Sequence, residues 1–378
     1  MLLNVILGAL TVLSLGLTLW QWLIARRFPL HRRVPAGPLA PGFTLLKPLK
    51  GCDESTEECL RSWLVQNCQE PIQILFGVAS AGDPVCALVK KLLLEFPKLD
   101  AQLVVCGPLK GANLKVSKLM QLEGLAKYDL LIISDADVRV PSDFLTNVTA
   151  PFADSHIGLV NCFYRLANPA TCAMRWEAVA INADFWSQVL QSQSLKPLDF
   201  ALGAVMALRR KQLQETGGFA ALADCLADDY QLGKGIARHG HRIVLCPVVV
   251  ECWSEPMGWR AVWKHQLRWA RTIRVCQPLP YFFSILSNAT LWPLLWLALR
   301  PATPSLLCAV VCWLVRVGTA LDLQRRLTLA PVPILASGFV LLKDLLQVAI
   351  WVLAFLGNRI EWRGELMRLR PDGTLVRG

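Results

Sequence analysis

The stretch "LIISDADVRV", residues 131–140, decides how this chain is read. The apolar run 130–133 and one serine lead directly into two carboxylates, Asp135 and Asp137. Charge at a buried strand end is costly unless it is paired or bound to a cation. Alternate residues of an extended segment point the same way, so both carboxylates can approach one ion. Oxygen ligands suit Mg²⁺ or Mn²⁺, which commonly combine one or two carboxylates with substrate phosphates. The other reading is a turn pair before "VPSDF" (140–144), where aspartate is common. Taken alone, the two readings are even.

Working outward, short apolar runs alternate with helical stretches between residues 42 and 255. The runs are "FTLLKPL" (43–49), "IQILFGVA" (72–79), "AQLVVCG" (101–107), "DLLIISD" (129–135), "IGLVNC" (157–162) and "RIVLCPVVV" (242–250). Helices are expected at 54–67, 84–96 and 115–126. This alternation predicts an α/β domain around a mostly parallel sheet. Ligands of such sheets bind beyond the C-terminal strand ends, so polar residues just after an apolar run carry functional weight.

The chain is more apolar than a soluble protein of 378 residues: 54% hydrophobic and 18% charged. Residues 2–24 carry no charge over a length that spans a bilayer. Arginines follow that run rather than precede it, which disfavours a signal peptide. Arg26, Arg27, Arg32 and Arg33 place the N-terminus outside and the following domain in the cytoplasm. The formal charge of +11 sits beside apolar segments, as in "RRFPLHRR" (26–33) and "WRGELMRLR" (362–370). That favours an anionic membrane surface over nucleic acid, for which no aromatic-basic motif stands out. Thirteen cysteines without Cys-x-x-Cys, several in apolar runs, read as reduced and structural.

Four units are expected: a transmembrane helix at 1–25, a cytoplasmic catalytic domain at 42–275, membrane or interface helices at 278–356, and a basic tail at 357–378. Three apolar stretches lie in the third unit: 281–299, 303–321 and 332–356. If all three spanned, Arg359, Arg363, Arg368 and Arg370 would lie outside, against the charge rule. The first stretch, flanked by Pro278 and Pro280 and broken by Pro293, is therefore expected in the interface or as a re-entrant turn. Lys343 and Asp344 must face protein, water or each other.

Other strand ends supply further polar residues. "LLKPLKGCDE" (45–54) offers Lys47, Lys50 and Gly51 for a nucleotide. "GVASAGDPV" (77–85) ends at Asp83, which by itself reads as a helix N-cap. Asp228 and Asp229 head a helix, where the macrodipole favours acids. "WKHQLRWARTIR" (263–274) reads either as a functional segment or as a basic amphipathic helix on lipid.

In order, "KPLKG" (47–51), "GDP" (82–84), "AKYDLLIISDADVRV" (126–140), "ADDYQLGKGIA" (227–237) and "HQLRW" (265–269) resemble the ceramide glucosyltransferase family. "IEWRGELMRLR" (360–370) is similar to its closing segment. "LADDYQLGKGIARHGHRIVL" (226–245) and "HQLRWARTIR" (265–274) also resemble bacterial relatives that glycosylate hopanoid polyols. The resemblance implies an α/β fold, a GT-A (Rossmann-like) glycosyltransferase domain with N-terminal and C-terminal transmembrane helices. It further implies an inverting enzyme that uses Mg²⁺ or Mn²⁺ and a UDP-sugar carrying a hexose or N-acetylhexosamine. The acceptor would be a membrane lipid, ceramide-like or a hopanoid polyol such as bacteriohopanetetrol. The short Arg-rich ends fit a multi-pass protein of a bacterial inner membrane better than one of the Golgi.

Carried over by position, Asp83 contacts the nucleotide, and Asp135 and Asp137 bind the metal and the donor diphosphate. By the same resemblance Asp229 would be the general base, with Asp228 where the family has Glu. Arg268 and Trp269 close the Gln/Arg-x-x-Arg-Trp motif, whereas His265 stands where that motif has Gln or Arg. Gln266 lies one position too late to replace it. Phosphate contacts from Lys47, Lys50, Lys115 or Lys118 would complete the donor site. A processive polysaccharide synthase shares Asp-x-Asp, but His265 and the few membrane segments count against it. A non-catalytic scaffold is disfavoured because all four carboxylate positions are filled.

Overall fold

The computed structural model describes residues 1–34, 42–332, 337–362 and 365–377. Residues 333–336 of the last apolar stretch, and Arg363, lie outside the described residues. The chain opens with α1 (Leu2–Arg27). β1 (Phe43–Pro48), α2 (Thr56–Leu64), β2 (Ile72–Val78), α3 (Val85–Glu95), β3 (Asp100–Val105), α4 (Leu114–Leu125) and β4 (Leu130–Ser134) then alternate. Each expected strand and helix of this half is present. Side chains on β1, β2 and β4 alternate between two cores. Leu46, Leu75, Leu131 and Ile133 face α4 and its Leu119, while Leu45, Phe76 and Ile132 face Trp63 and Val89. Each such side chain contributes about 1.5–3 kcal/mol on burial.

The second half comprises β5 (Val138–Arg139), α5 (Phe144–Thr149), β6 (Ile157–Leu166), α6 (Cys172–Val179), α7 (Trp186–Leu195), β7 (Val205–Arg209), α8 (Arg210–Glu215), α9 (Asp228–Arg238) and β8 (Arg242–Cys252). A π-helical turn, Ala180–Phe185, joins α6 to α7. The eight-stranded sheet has the order β3-β2-β1-β4-β7-β6-β8-β5. Its first four strands are parallel, β4–β7 and β7–β6 are antiparallel, and β6–β8 is parallel again. β7, unread in the sequence, makes the sheet mixed. From β1 the chain moves one way to β2 and β3 and returns on the other side at β4. The switch point therefore lies between β1 and β4, where Lys47 and Asp135 sit.

Beyond the sheet lie α10 (Trp259–Cys276), α11 (Pro278–Phe283), α12 (Leu291–Leu299), α13 (Thr303–Thr328), α14 (Ser337–Phe355), and β9 (Arg359–Trp362), β10 (Glu365–Leu369) and β11 (Leu375–Arg377). Three helices are long and apolar enough to cross a membrane: α1, α13 and Gly338–Phe355. The segment 278–299 is a pair of helical pieces bent by 54°. Expected in the interface or as a re-entrant turn, it runs beside α1: Thr18 Oγ1 meets the Ser287 carbonyl at 3.5 Å. Higher up, Trp296 Nε1 donates to Asn4 Oδ1 at 2.7 Å. Pro293 does not stop it because it falls in the first turn of α12, where no intrahelical N–H is lost. α13 packs alongside α1 through Trp22 Nε1 and Asp322 Oδ2 (2.8 Å).

Lys343 and Asp344 face protein, as charges in such a helix must. Asp344 binds Arg316 at 2.8 Å and Thr290 Oγ1 at 2.6 Å, and Lys343 pairs with Asp184 in the π-helical turn. α14 lays Leu346, Ile350, Trp351 and Ala354 against Trp176 of α6 and Val262 and Ala270 of α10. β9, β10 and β11, in the segment expected as a basic tail, form an antiparallel sheet of order β11-β10-β9. It packs on Leu226, with Leu375 N donating to the Asp224 carbonyl at 2.7 Å. All thirteen cysteines are free thiols.

Candidate active site

Five chain segments, around Lys47, Asp83, Lys115, Asp135 and Asp229, bring carboxylates or cations to the C-terminal edge of the parallel strands. Lys47, at the end of β1, is fully buried over the Trp63 ring. Its Nζ donates to Ser134 Oγ at 3.1 Å and to the Asp135 carbonyl at 2.6 Å. Burial pushes its ammonium down to about 8. Lys47 thus holds the end of β4 in place, whereas Lys50 is exposed on the loop that follows. Asp83 accepts from Gly51 N at 3.0 Å and Val85 N at 3.1 Å. It therefore caps α3 and also fixes the β1 loop, where Gly51 adopts φ +74°.

Asp135 follows β4 directly, whereas Asp137 lies in the turn before β5 rather than on the extended segment expected. Asp135 Oδ1 lies 2.8 Å from Lys115 Nζ. Asp137 opens into the cleft but is backed by protein. That desolvation, with Asp135 beside it, pushes its carboxyl up to about 6. Excess negative charge on two oxygen-donor side chains fits Mg²⁺ or Mn²⁺. Among the described residues no three metal-ligating side chains converge. A cation here would draw further ligands from substrate or solvent.

Lys115 sits in the first turn of α4. Asn113 caps that turn by accepting from Lys115 N and Val116 N at 3.1 and 3.3 Å, an interaction worth about 1 kcal/mol. The Asn113 amide also donates to Asp228 Oδ1 at 3.2 Å. Lys115 Nζ reaches Asp228 Oδ2 at 3.3 Å as well as Asp135. Burial opposes its charge, but the carboxylates of Asp135 and Asp228 prevail and hold the ammonium above its ordinary value. Lys118 turns the other way and donates to the Leu49 carbonyl at 2.5 Å.

Asp229, at the head of α9, is pushed up to about 6 by burial and by the Asp228 carboxylate. The 203–204 loop presses on it from the sheet side. A Cβ on Gly203 would fall 2.7 Å from Asp229 Oδ2. The next residue, Ala204, accepts from Asp135 N at 3.2 Å. One loop therefore spaces Asp135 from Asp229, which sequence reading missed; the glycine ahead of the apolar "AVMAL" was the available signal.

Arg268 and Trp269 are half-buried on α10, with Thr272 Oγ1 donating to the Arg268 carbonyl at 2.8 Å. Trp269 packs on Phe185, Tyr164 and His265, with ring centroids 5.9, 6.5 and 4.9 Å away. Glu177, also missed, binds His265 from α6. A separate cleft of about 590 Å³, lined by His31, Arg33, Arg139, Arg165 and Glu251, holds none of these residues.

The chain is similar to several known proteins. Ceramide glucosyltransferase 3 of Caenorhabditis elegans is 22% identical over 362 residues, covering 93% of this chain and 77% of that protein. The ceramide glucosyltransferase of Candida albicans is 33% identical over 117 residues, 28% of this chain and 22% of the other. Among solved structures, a mannosyltransferase from Pyrobaculum calidifontis, in complex with GDP-Man and Mn²⁺, shares the fold. Its TM-score is 0.55 at 22% identity, over 90% of this chain and 99% of that one. Residues 6–375 match the profile of one family across almost their whole length. The chain belongs to glycosyl transferase family 21 and is a glycosyltransferase of GT-A fold.

Proposed function

We propose that this glycosyltransferase moves a hexose or N-acetylhexosamine from a UDP-sugar to a hydroxyl of a membrane lipid, with inversion. The observation that carries the reading is the link made by Lys115. It joins Asp135, on the donor side, to Asp228, the neighbour of Asp229. Donor charge and a poised base then share one cleft.

In this reading the donor's diphosphate lies over the ends of β1, β2 and β4. Asp135 and Asp137 would hold Mg²⁺ or Mn²⁺, which as a Lewis acid neutralises charge on the departing diphosphate. The mannosyltransferase of similar fold carries Mn²⁺ and a sugar nucleotide. Lys115 and Arg268 supply fixed positive charge for phosphate oxygens. Asp229 removes the proton of the acceptor hydroxyl as that oxygen attacks the anomeric carbon. The bond from that carbon to the diphosphate breaks on the opposite face. One displacement converts an α-linked donor into a β-glycoside, and the base ends protonated. Buried Lys47 acts on this site through Ser134 and the Asp135 backbone rather than by touching phosphate.

The spanning helices and the ceramide glucosyltransferase relatives support a lipid acceptor, either ceramide-like or a hopanoid polyol. A bacterial inner membrane, with the catalytic domain cytoplasmic, fits the arginines that follow α1. The test is transfer of labelled sugar from UDP-sugars to lipids presented in detergent or bilayers, with products read by mass spectrometry. Asp229→Asn should abolish transfer yet keep nucleotide binding. Glycosylation of soluble alcohols alone would sink the lipid assignment.

A further inference from the structure

The separate cleft of about 590 Å³ lies where the ends of α1 and α13 meet β5, β6 and β8. Both helices are long and apolar enough to cross a membrane, which puts the cleft at the border of the bilayer. Its volume is that of a small-molecule site. Four guanidiniums line it, Arg33, Arg61, Arg139 and Arg165, against two acids, Glu58 and Glu251. Glu251 serves both Arg139, at 2.9 Å, and Arg165, at 2.5 Å. Arg33 pairs with Asp143, and Arg61 with Glu57 and Glu95, in contacts with acids outside the lining that water weakens. Arg33 Nη2, Arg139 Nη2 and Arg165 Nε make no hydrogen bond among the described residues. Each of these three side chains therefore keeps a donor for an anion.

The backbone of the same cleft is unusual. Among the described residues only two that are not glycine adopt a left-handed φ, His31 at +63° and Leu329 at +54°, and both line it. His31 turns the chain after α1: its N–H donates to the Pro247 carbonyl and its Nε2 to the Arg326 carbonyl, each at 2.8 Å. Arg165 Nη1 donates to the Thr328 carbonyl at 3.0 Å. Leu329 closes α13 at the position where glycine is usual. A glycine there would end the helix without strain. The leucine instead sets an apolar side chain, 71% exposed, at the mouth of a cationic cleft. Strained backbone of this kind gathers at ligand sites.

We propose that this cleft binds the head group of an anionic phospholipid, apart from the sites for donor and acceptor. The phosphodiester takes the remaining donors of Arg33, Arg139 and Arg165 as charge-assisted hydrogen bonds. The glycerol and the first methylenes of the chains lie on Leu329 and Val65. Soluble phosphate esters share the anion, but an apolar flank at the bilayer border suits a ligand that brings a tail. The bound phosphate bridges the segment after α1 to β5 and β6, and so seats the catalytic domain on the membrane.

The test titrates a phosphatidylglycerol into the full chain in neutral detergent and counts bound lipid by native mass spectrometry, with phosphatidylcholine for comparison. One phosphatidylglycerol per chain should bind in preference. Arg165→Gln should weaken its affinity about tenfold. Leu329→Asp should do the same by setting a like charge at the mouth, and its Tm should hold or rise because aspartate accepts a left-handed backbone better than leucine. Arg27→Gln, exposed at the end of α1 and outside the lining, should change affinity by under about twofold. Equal losses in Arg27→Gln and the cleft variants overturn the inference, since general surface charge then explains binding. So does undiminished binding by folded Leu329→Asp. Displacement of the lipid by an equal concentration of inorganic phosphate or glycerol 3-phosphate overturns the assignment to a lipid.

Discussion

Lys115 Nζ lies 2.8 Å from Asp135 Oδ1, and the same ammonium is 3.3 Å from Asp228. A single buried cation thus ties the end of β4 to the start of α9. Its removal strands a nearly buried carboxylate at Asp228, and breaking such pairs is strongly destabilising. Lys115→Met should therefore lower unfolding stability by about 3 kcal/mol. It should also weaken donor binding, seen by chemical denaturation and nucleotide titration of the detergent-solubilised protein.

As the proposed base, Asp229 must be ionised to accept a proton, and burial beside Asp228 holds its carboxyl up at about 6. Activity is therefore expected to be lost below that value and to rise through it. On the acid limb kcat/KM should change about tenfold per pH unit. A pH profile with an acid limb near 4 would indicate an ordinary exposed carboxylate instead.

Asp137→Ala removes one of the two carboxylates proposed to hold the cation and relieves Asp135 of a like charge. The Mn²⁺-dependent rise in Tm on adding UDP should disappear. The Tm of the protein alone should stay level or rise slightly, because a carboxyl pushed up to about 6 is one that folding penalises at neutral pH. Undiminished Mn²⁺-dependent stabilisation would rule Asp137 out as a ligand.

The helix contacts also predict the topology. Segment 278–299 reaches the Asn4 end of α1, and α13 returns to place the Arg326 carbonyl on His31. α14 lies along α6 and α10, and its end meets Arg274 through Phe355. The segments that cross are then α1, 278–299 and α13, with α14 lying flat at the interface and β9–β11 beside the catalytic domain. This keeps two crossings after the catalytic domain, as the charge rule requires, but exchanges which segments make them. In a cysteine-depleted background, Ala302→Cys should react with an impermeant thiol reagent from the N-terminal side, and Thr374→Cys only after permeabilisation.

Much of this was legible because a buried strand that ends in a carboxylate leaves a clear signature. Asp135 stands at such an end, directly after β4, whereas Asp83 lies past the end of β2 and caps α3. Lys47 was read as a nucleotide contact because it follows an apolar run. The structure buries it, since Trp63 and the β4 end close over a side chain with a long apolar stem. β7 escaped because its approach, "ALGA", is small and unpatterned. Glu177 escaped because a lone acid in a helix gives no periodic signal, and its partner lies on a different helix. The sheet β9–β11 was taken for a basic tail, although Met367 and Leu369 alternate inward between exposed arginines.

That small sheet has a consequence for the order of biosynthesis. β11 pairs with the loop that leads into Asp228 and Asp229, through Leu375 with Asp224 and Gly373 with Leu226. The ribosome makes those partners only after α12, α13 and α14 have emerged. A nascent chain therefore carries Asp228 and Asp229 after a loop that lacks these backbone partners until α12, α13 and α14 have been made.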